Sequence, residues 1–170
     1  GPKEIQDRLP FKKAGLNVYF DHIDSYRELK VKFLNAPHTM LAAVGVLSGI
    51  ETVKEGIEDH LIYSYLNNAL TLEIAEVLGE TEKAKSADYI KDVYDRFLNP
   101  YLHHKLLDIS LNSYAKYQTR VLPSLLKYYQ INGAYPKRLV FSLAALLTFY
   151  RVAEEEGEKN FGQGLNGKYE

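Results

Sequence analysis

The segment Lys30-Val31-Lys32-Phe33-Leu34-Asn35-Ala36-Pro37-His38-Thr39 sets an amine, a carboxamide and an imidazole at positions 0, +5 and +8. At about 100° per helical residue these fall near 0°, 140° and 80°, on one broad face. Pro37 lies among them and has no backbone N–H, so it predicts a kink or break of the helix there. A Lys held in a desolvated pocket has a lowered pKa, and its neutral amine can take a proton near neutral pH. An Asn amide and a His ring can both donate hydrogen bonds to an oxygen that gains negative charge. The three together suit the interconversion of a secondary alcohol and a ketone. Lys30 would accept the hydroxyl proton while Asn35 and His38 hold the oxygen. On spacing alone, the same residues also fit a solvated Lys, a helix-capping Asn and a surface His.

Lys116 and Arg120 stand four residues apart and share a helix face if the helix continues. Two cations with no acidic partner at that spacing can hold a carboxylate, and the Arg fork matches one. A solvated basic face is the plainer alternative. His103-His104 is a poor metal pair, because adjacent helical residues point about 100° apart. The other His residues have no ligand spacing, so no metal is expected. His104 could reach a ligand near Asp108, but a surface role is the simpler reading.

These residues need helices to position them. Asp24 can cap a helix running to about Leu34. A second helix, rich in small residues, is predicted from Thr39 to about Leu47, where Ala42, Ala43 and Gly45 permit close backbone approach. A 3.6-residue period runs from Ile57 to Val77, with Gly79 as its stop. Further helices are predicted from Ala84 to Phe97, from Leu102 to about Lys116, from Pro123 to about Tyr129, and from Pro136 to about Val152. Leu16 to Phe20 is the one strand signal, an edge strand by its composition. The expected fold is all-α: a bundle of six or more helices with one short N-terminal strand. Residues 1–23 form a lead-in segment, 24–153 the helical domain, and 154–170 a flexible Gly-rich tail.

Composition narrows the function. The 170 residues fit one domain, with 46% hydrophobic and 25% charged residues. A net charge of -1 gives no electrostatic footprint for nucleic acid or an anionic membrane. No apolar run is long enough to span a bilayer, and Gly1-Pro2-Lys3-Glu4 does not open a signal peptide. The cytoplasm is the expected compartment. There is no Cys, which excludes disulfides and thiolate metal sites. Gly162, Gly164 and Gly167 spell G-x-G-x-x-G, but no predicted strand precedes them and three residues follow. A phosphate cradle needs the strand before and the helix behind.

Lys-x4-Asn-x2-His resembles the catalytic signature of the polyol-specific long-chain dehydrogenases, the mannitol 2-dehydrogenase family. The wider text is closest to its sugar-acid branch, the tagaturonate reductases (altronate oxidoreductases). The likeness runs through Ala14–Val18, Lys30–Gly49, Leu107–Ser113, Arg120–Leu126 and Pro136–Leu146. It implies a catalytic role for Lys30, Asn35 and His38, and a substrate contact for Lys116; Arg120 is added on spacing alone. It also implies NAD as cofactor, a small sugar acid as substrate, and an N-terminal Rossmann domain in the same polypeptide. No such domain is legible here, so this chain alone is expected to be inactive. Fructuronate, mannonate or mannitol as substrate, and a non-enzymatic helical interaction domain, are the alternatives.

Overall fold

The computed structural model describes residues 3–6, 8–16, 18, 20 and 23–170. A short α1 (Lys3–Gln6) precedes a continuous helical ribbon. The ribbon begins as α2 (Ile23–Leu29), widens into a π turn (Lys30–Asn35) and continues as α3 (Ala36–Leu47). The break expected at Pro37 is therefore a widening. Ala36 N–H reaches back five residues to the Val31 carbonyl. In an α-helix the Pro ring would crowd the carbonyl four residues before it, and a π turn loosens that spacing.

Around the ribbon lie α4 (Val53–Glu58), α5 (His60–Ala69), α6 (Glu80–Phe97), α7 (Leu106–Ser110), α8 (Ser113–Arg120), α9 (Leu122–Asn132) and α10 (Lys137–Phe149). The helical domain is thus as expected, with two of its long helices subdivided. The period from Ile57 to Val77 is interrupted at Asp59, whose backbone is extended. Its carboxylate accepts the Leu61 and Ile62 N–H groups at 2.9 Å each and starts α5 afresh. After α5 the chain passes through a second π turn, Leu70–Ile74, and a 3-10 turn, Ala75–Val77. The helix expected from Leu102 to Lys116 is split by Asn112, at φ +56. Asn tolerates that left-handed conformation better than most residues, and it lets α8 leave α7 at an angle.

The core gathers on α3, which packs against α5, α7, α8 and α10. Phe33, Met40, Leu41, Leu66, Leu70, Leu106, Leu139 and Leu146 are fully enclosed. Gly45 faces the Leu106 side chain so closely that a Cβ would collide with it. Small residues on α3 therefore serve packing. No helix among the described residues is long and apolar enough to cross a membrane.

Strand lies at the other end from the one expected. Leu16, Val18 and Phe20 are in no strand, and Asn17 and Tyr19 fall outside the described residues. The tail expected to be a flexible loop is an antiparallel meander of β1 (Glu154–Glu156), β2 (Lys159–Gly164) and β3 (Gly167–Tyr169). Its glycines explain the difference. Gly162 pairs with Tyr169, whose ring lies over the bare glycine where a Cβ would stand. That ring stacks on Phe149 at 4.6 Å and 7°, and its hydroxyl donates to the Phe149 carbonyl at 2.8 Å. Asn166 Nδ2 donates to the Gly49 carbonyl at 2.6 Å and pins the second turn to the end of α3.

Candidate active site

Each sequence-derived residue has a definite place. Lys30 opens the first π turn and is exposed; its side chain has no partner among the described residues. The desolvated pocket expected for Lys30 is thus not supplied by this chain. Lys32, two residues on, is half-buried and donates to Ser124 Oγ at 2.7 Å. Burial pulls the Lys32 amine below the ordinary lysine value, against the opposing pull of Glu28. Its tie to α9 fixes the π turn from behind.

Asn35 closes the π turn. Its carbonyl accepts the Thr39 hydroxyl at 3.0 Å. His38 lies one helical turn after Leu34 and is largely buried. Its Nδ1 is 2.8 Å from the Leu34 carbonyl, while its Nε2 is buried without a partner among the described residues. The ring packs on Phe97 at 4.3 Å and meets His104 edge-on at 5.9 Å. Burial pushes the imidazole down to about 4, helped by the like charges of His104 and Arg120 and opposed by the Leu34 bond.

His38, Lys116 and Arg120 line one open pocket of about 370 Å³, with His104, Lys105 and Asp108. Lys30 and Asn35 are not among its lining residues; they lie further back along the same ribbon. Lys116 Nζ donates to the Ile109 carbonyl at 2.9 Å, at the edge of α7. Burial and the neighbouring Arg120 hold its amine below the usual lysine value. Arg120 Nη1 donates to Thr39 Oγ1 at 3.3 Å. Neither cation has an ion-pair partner among the described residues. The pocket thus has two half-buried cations, fixed in position and not neutralised.

The loop before α7 is held by a small bridge. Val53 N–H donates to the His104 carbonyl at 3.0 Å, and Leu106 N–H to the Glu51 carbonyl at 2.8 Å. This places His104 and Asp108 at the pocket. His104 is exposed, as the surface reading of the sequence has it, and it also lines the pocket beside Asp108. Its position four residues before Asp108 was the available signal. The contributions of Thr39 and Ser124 had none, since a lone hydroxyl on a buried face carries no spacing pattern.

The G-x-G-x-x-G glycines lie in the meander. Gly162 is covered by Tyr169, and a Cβ on Gly164 would stand 2.6 Å from the Val46 carbonyl oxygen. No helix N-terminus follows them among the described residues. They do not fit a dinucleotide phosphate.

Comparison with known proteins gives a consistent picture. Residues 22–161 match the mannitol dehydrogenase C-terminal domain. An altronate oxidoreductase of Halalkalibacterium halodurans is 37% identical over 169 residues, 99% of this chain and 33% of that protein. One from Yersinia enterocolitica is 43% identical over 159 residues, 93% of this chain and 32% of that protein. The chain therefore spans about a third of the length of these relatives. Among solved structures, a Pseudomonas fluorescens mannitol 2-dehydrogenase in ternary complex with NAD and D-mannitol shares the fold at TM-score 0.73 and 23% identity. The alignment covers 91% of this chain and 31% of that one.

Proposed function

The chain belongs to the mannitol dehydrogenase family through its C-terminal domain, and on that premise we propose that it is the helical catalytic part of an NAD-dependent oxidoreductase interconverting D-altronate and D-tagaturonate. The observation that carries the reading is the pocket. It joins His38 of the Lys-x4-Asn-x2-His ribbon to Lys116 and Arg120, two cations without acidic partners among the described residues. A sugar acid carries a hydroxyl chain for the first and a carboxylate for the others. A buried carboxylate needs such a cation, because an unpaired charge is costly to desolvate.

In this reading the chain handles the proton and the substrate. In the oxidative direction Lys30 takes the hydroxyl proton as the carbonyl forms; in the reductive direction it starts protonated and returns it. Asn35 donates to the reacting oxygen. Lys116 and Arg120 hold the carboxylate and so fix which carbon reacts. NAD, when bound, would take up or supply the hydride. The Gly-rich motif of this chain does not fit that cofactor, since it is packed shut in the meander. The cofactor is left to an N-terminal Rossmann domain of the same polypeptide. That domain would also desolvate Lys30, which is exposed here.

The test is NADH consumption by the full-length polypeptide with tagaturonate, beside its Lys30→Ala variant. Loss of turnover by about 10²–10⁴, with KM little changed, is expected for a lost proton-transfer group. Near-normal turnover in the variant would remove Lys30 from the reaction. If the unmodified polypeptide turns over no sugar acid or polyol, the chain is a non-enzymatic helical interaction domain. A neutral polyol is the second reading, favoured by the fold shared with a mannitol 2-dehydrogenase. Fructuronate and mannonate satisfy the same cations and belong in the same assay.

A further inference from the structure

We infer that Lys32 is a positioning residue: bonded to Ser124, its side chain holds the first π turn against α9 and so keeps Lys30 and Asn35 in place. The roles of Lys30 and Asn35 rest on the proposed function; the tie itself does not. Lys32 is half-buried and donates to Ser124 Oγ at 2.7 Å. Ser124 is fully enclosed in the first turn of α9. No carboxylate lies within ion-pair distance of this ammonium among the described residues. Glu28 on α2 attracts it from further off, and Lys127 on α9 repels it. A charge drawn from water onto a lone hydroxyl is a costly arrangement. Two apolar side chains of similar size would pack there at little or no loss of stability. Stability alone therefore does not account for the pair.

The place of Lys32 in the chain shows what the pair does. It stands inside the π turn, two residues after Lys30 and three before Asn35. Phe33, beside it, is fully buried, whereas Lys30 is exposed. The turn thus has an anchored inner side and an open outer side. Its far end is held as well, since Thr39 bonds both the Asn35 carbonyl and Arg120. Arg120 and Ser124 are four residues apart across the α8–α9 junction. One junction therefore grips the turn twice, through Lys32 in its middle and through Thr39 at its end. A π turn is a rare backbone form that recurs at functional sites, and here two long-range side-chain bonds brace it. Without Lys32 the middle is free to shift while the end stays fixed. Lys30 inherits that shift, and a misplacement of about 1 Å can cost about a hundredfold in rate.

The test uses the full-length polypeptide and its K32M/S124A variant, which removes both polar groups together. Urea unfolding and deuterium exchange of the backbone amides of residues 31–36 are measured on each. The variant should unfold at the same urea concentration as wild type or a higher one. Its turn amides should nevertheless exchange about tenfold faster, through local opening. A clearly lowered midpoint would make the pair an ordinary structural bond, and unchanged exchange would show that it holds nothing; either result overturns the inference. NADH consumption with tagaturonate is then compared. A fall in kcat of about ten- to hundredfold is expected, with KM within about threefold, because Lys116 and Arg120 are untouched. K32R keeps a donor for Ser124 and should recover the slow exchange and most of kcat. A K32R variant no better than K32M/S124A would count against the bond. Wild-type kcat in K32M/S124A would overturn the positioning role and leave the dehydrogenase reading standing. Absence of turnover in the unmodified polypeptide would sink that reading instead, and the exchange rates would still decide whether Lys32 holds the turn.

Discussion

Arg120 Nη1 lies 3.3 Å from Thr39 Oγ1, and that same hydroxyl donates to the Asn35 carbonyl at 3.0 Å. One buried threonine thus ties α8 to the end of the π turn. It joins a cation of the pocket to the turn that carries Lys30 and Asn35.

Thr39→Val keeps the shape of this side chain and removes both hydrogen bonds. Thr39 is only 1% exposed, so water cannot replace them. A loss of about 1–2 kcal/mol is expected in urea unfolding, with the slope unchanged. KM for the sugar acid should rise as well, because Arg120 loses its anchor. Wild-type stability together with wild-type KM would mean that the tie holds nothing.

Glu73 is the other buried joint. Its carboxylate accepts the Arg138 and Leu139 N–H groups at 3.0 Å each, and Arg138 Nη1 at 3.2 Å. It caps the first turn of α10 from the second π turn. Glu73→Gln can cover one backbone N–H, but its own amide hydrogens then face the other donors. The Arg138 side chain is 34% exposed and can turn to water, which limits the damage. A loss of about 2–3 kcal/mol in the denaturant midpoint is expected. A loss below about 0.5 kcal/mol would show that the α10 N-terminus finds other partners.

Much of the helical frame is legible because each helix has an apolar stripe. The 3.6-residue period is visible from Ile57 to Val77, although Asp59 interrupts it to cap α5. The π turn is not legible, since a five-residue backbone bond leaves no mark on side-chain types. Pro37 signals only that an ordinary α-turn will not do there. The meander is hidden because its pattern is written in absences: Gly162 has no side chain so that Tyr169 can cross it. Lys30, Asn35 and His38 stand out by spacing, yet their surroundings depend on residues far along the chain. Arg120 is 81 residues from Thr39, and Ser124 is 92 from Lys32. No local pattern announces such pairs.

His38 also makes stability depend on pH. Its imidazole titrates near 6.5 when unfolded and is pushed down to about 4 by burial in the fold. Between those values the unfolded chain binds the extra proton. The stability contributed by neutral His38 is therefore present above pH 6.5 and is lost as pH falls toward 4. At about 1.4 kcal/mol per pKa unit, the full swing amounts to about 3–4 kcal/mol. Carboxylates titrate in the same range, so the comparison is with His38→Gln. Between pH 7 and pH 4.5, wild type should lose most of that amount relative to the variant in urea unfolding. Parallel curves would mean that the folded protein accommodates the imidazolium.

Under the proposed function, substrate choice turns on Lys116. Its ammonium is half-buried at the pocket wall, anchored to the Ile109 carbonyl and without an acidic partner among the described residues. A carboxylate placed beside it gains a charge-assisted hydrogen bond, while a terminal hydroxyl of a neutral polyol gains an ordinary one. The difference is about 1–2 kcal/mol, or roughly ten- to thirtyfold in kcat/KM. Arg120, four residues on along α8, adds field of the same sign and is held in place by Thr39. Lys116→Met keeps the length of the side chain and removes the charge. In the full-length polypeptide it should cut kcat/KM for altronate by about that factor and leave any activity on mannitol nearly unchanged. It should also reduce the salt dependence of KM for altronate, since salt screens part of the attraction between partly exposed charges. Equal losses on altronate and mannitol would assign Lys116 to a hydroxyl that both carry. The preference for acids would then have to come from Arg120 or from outside this chain.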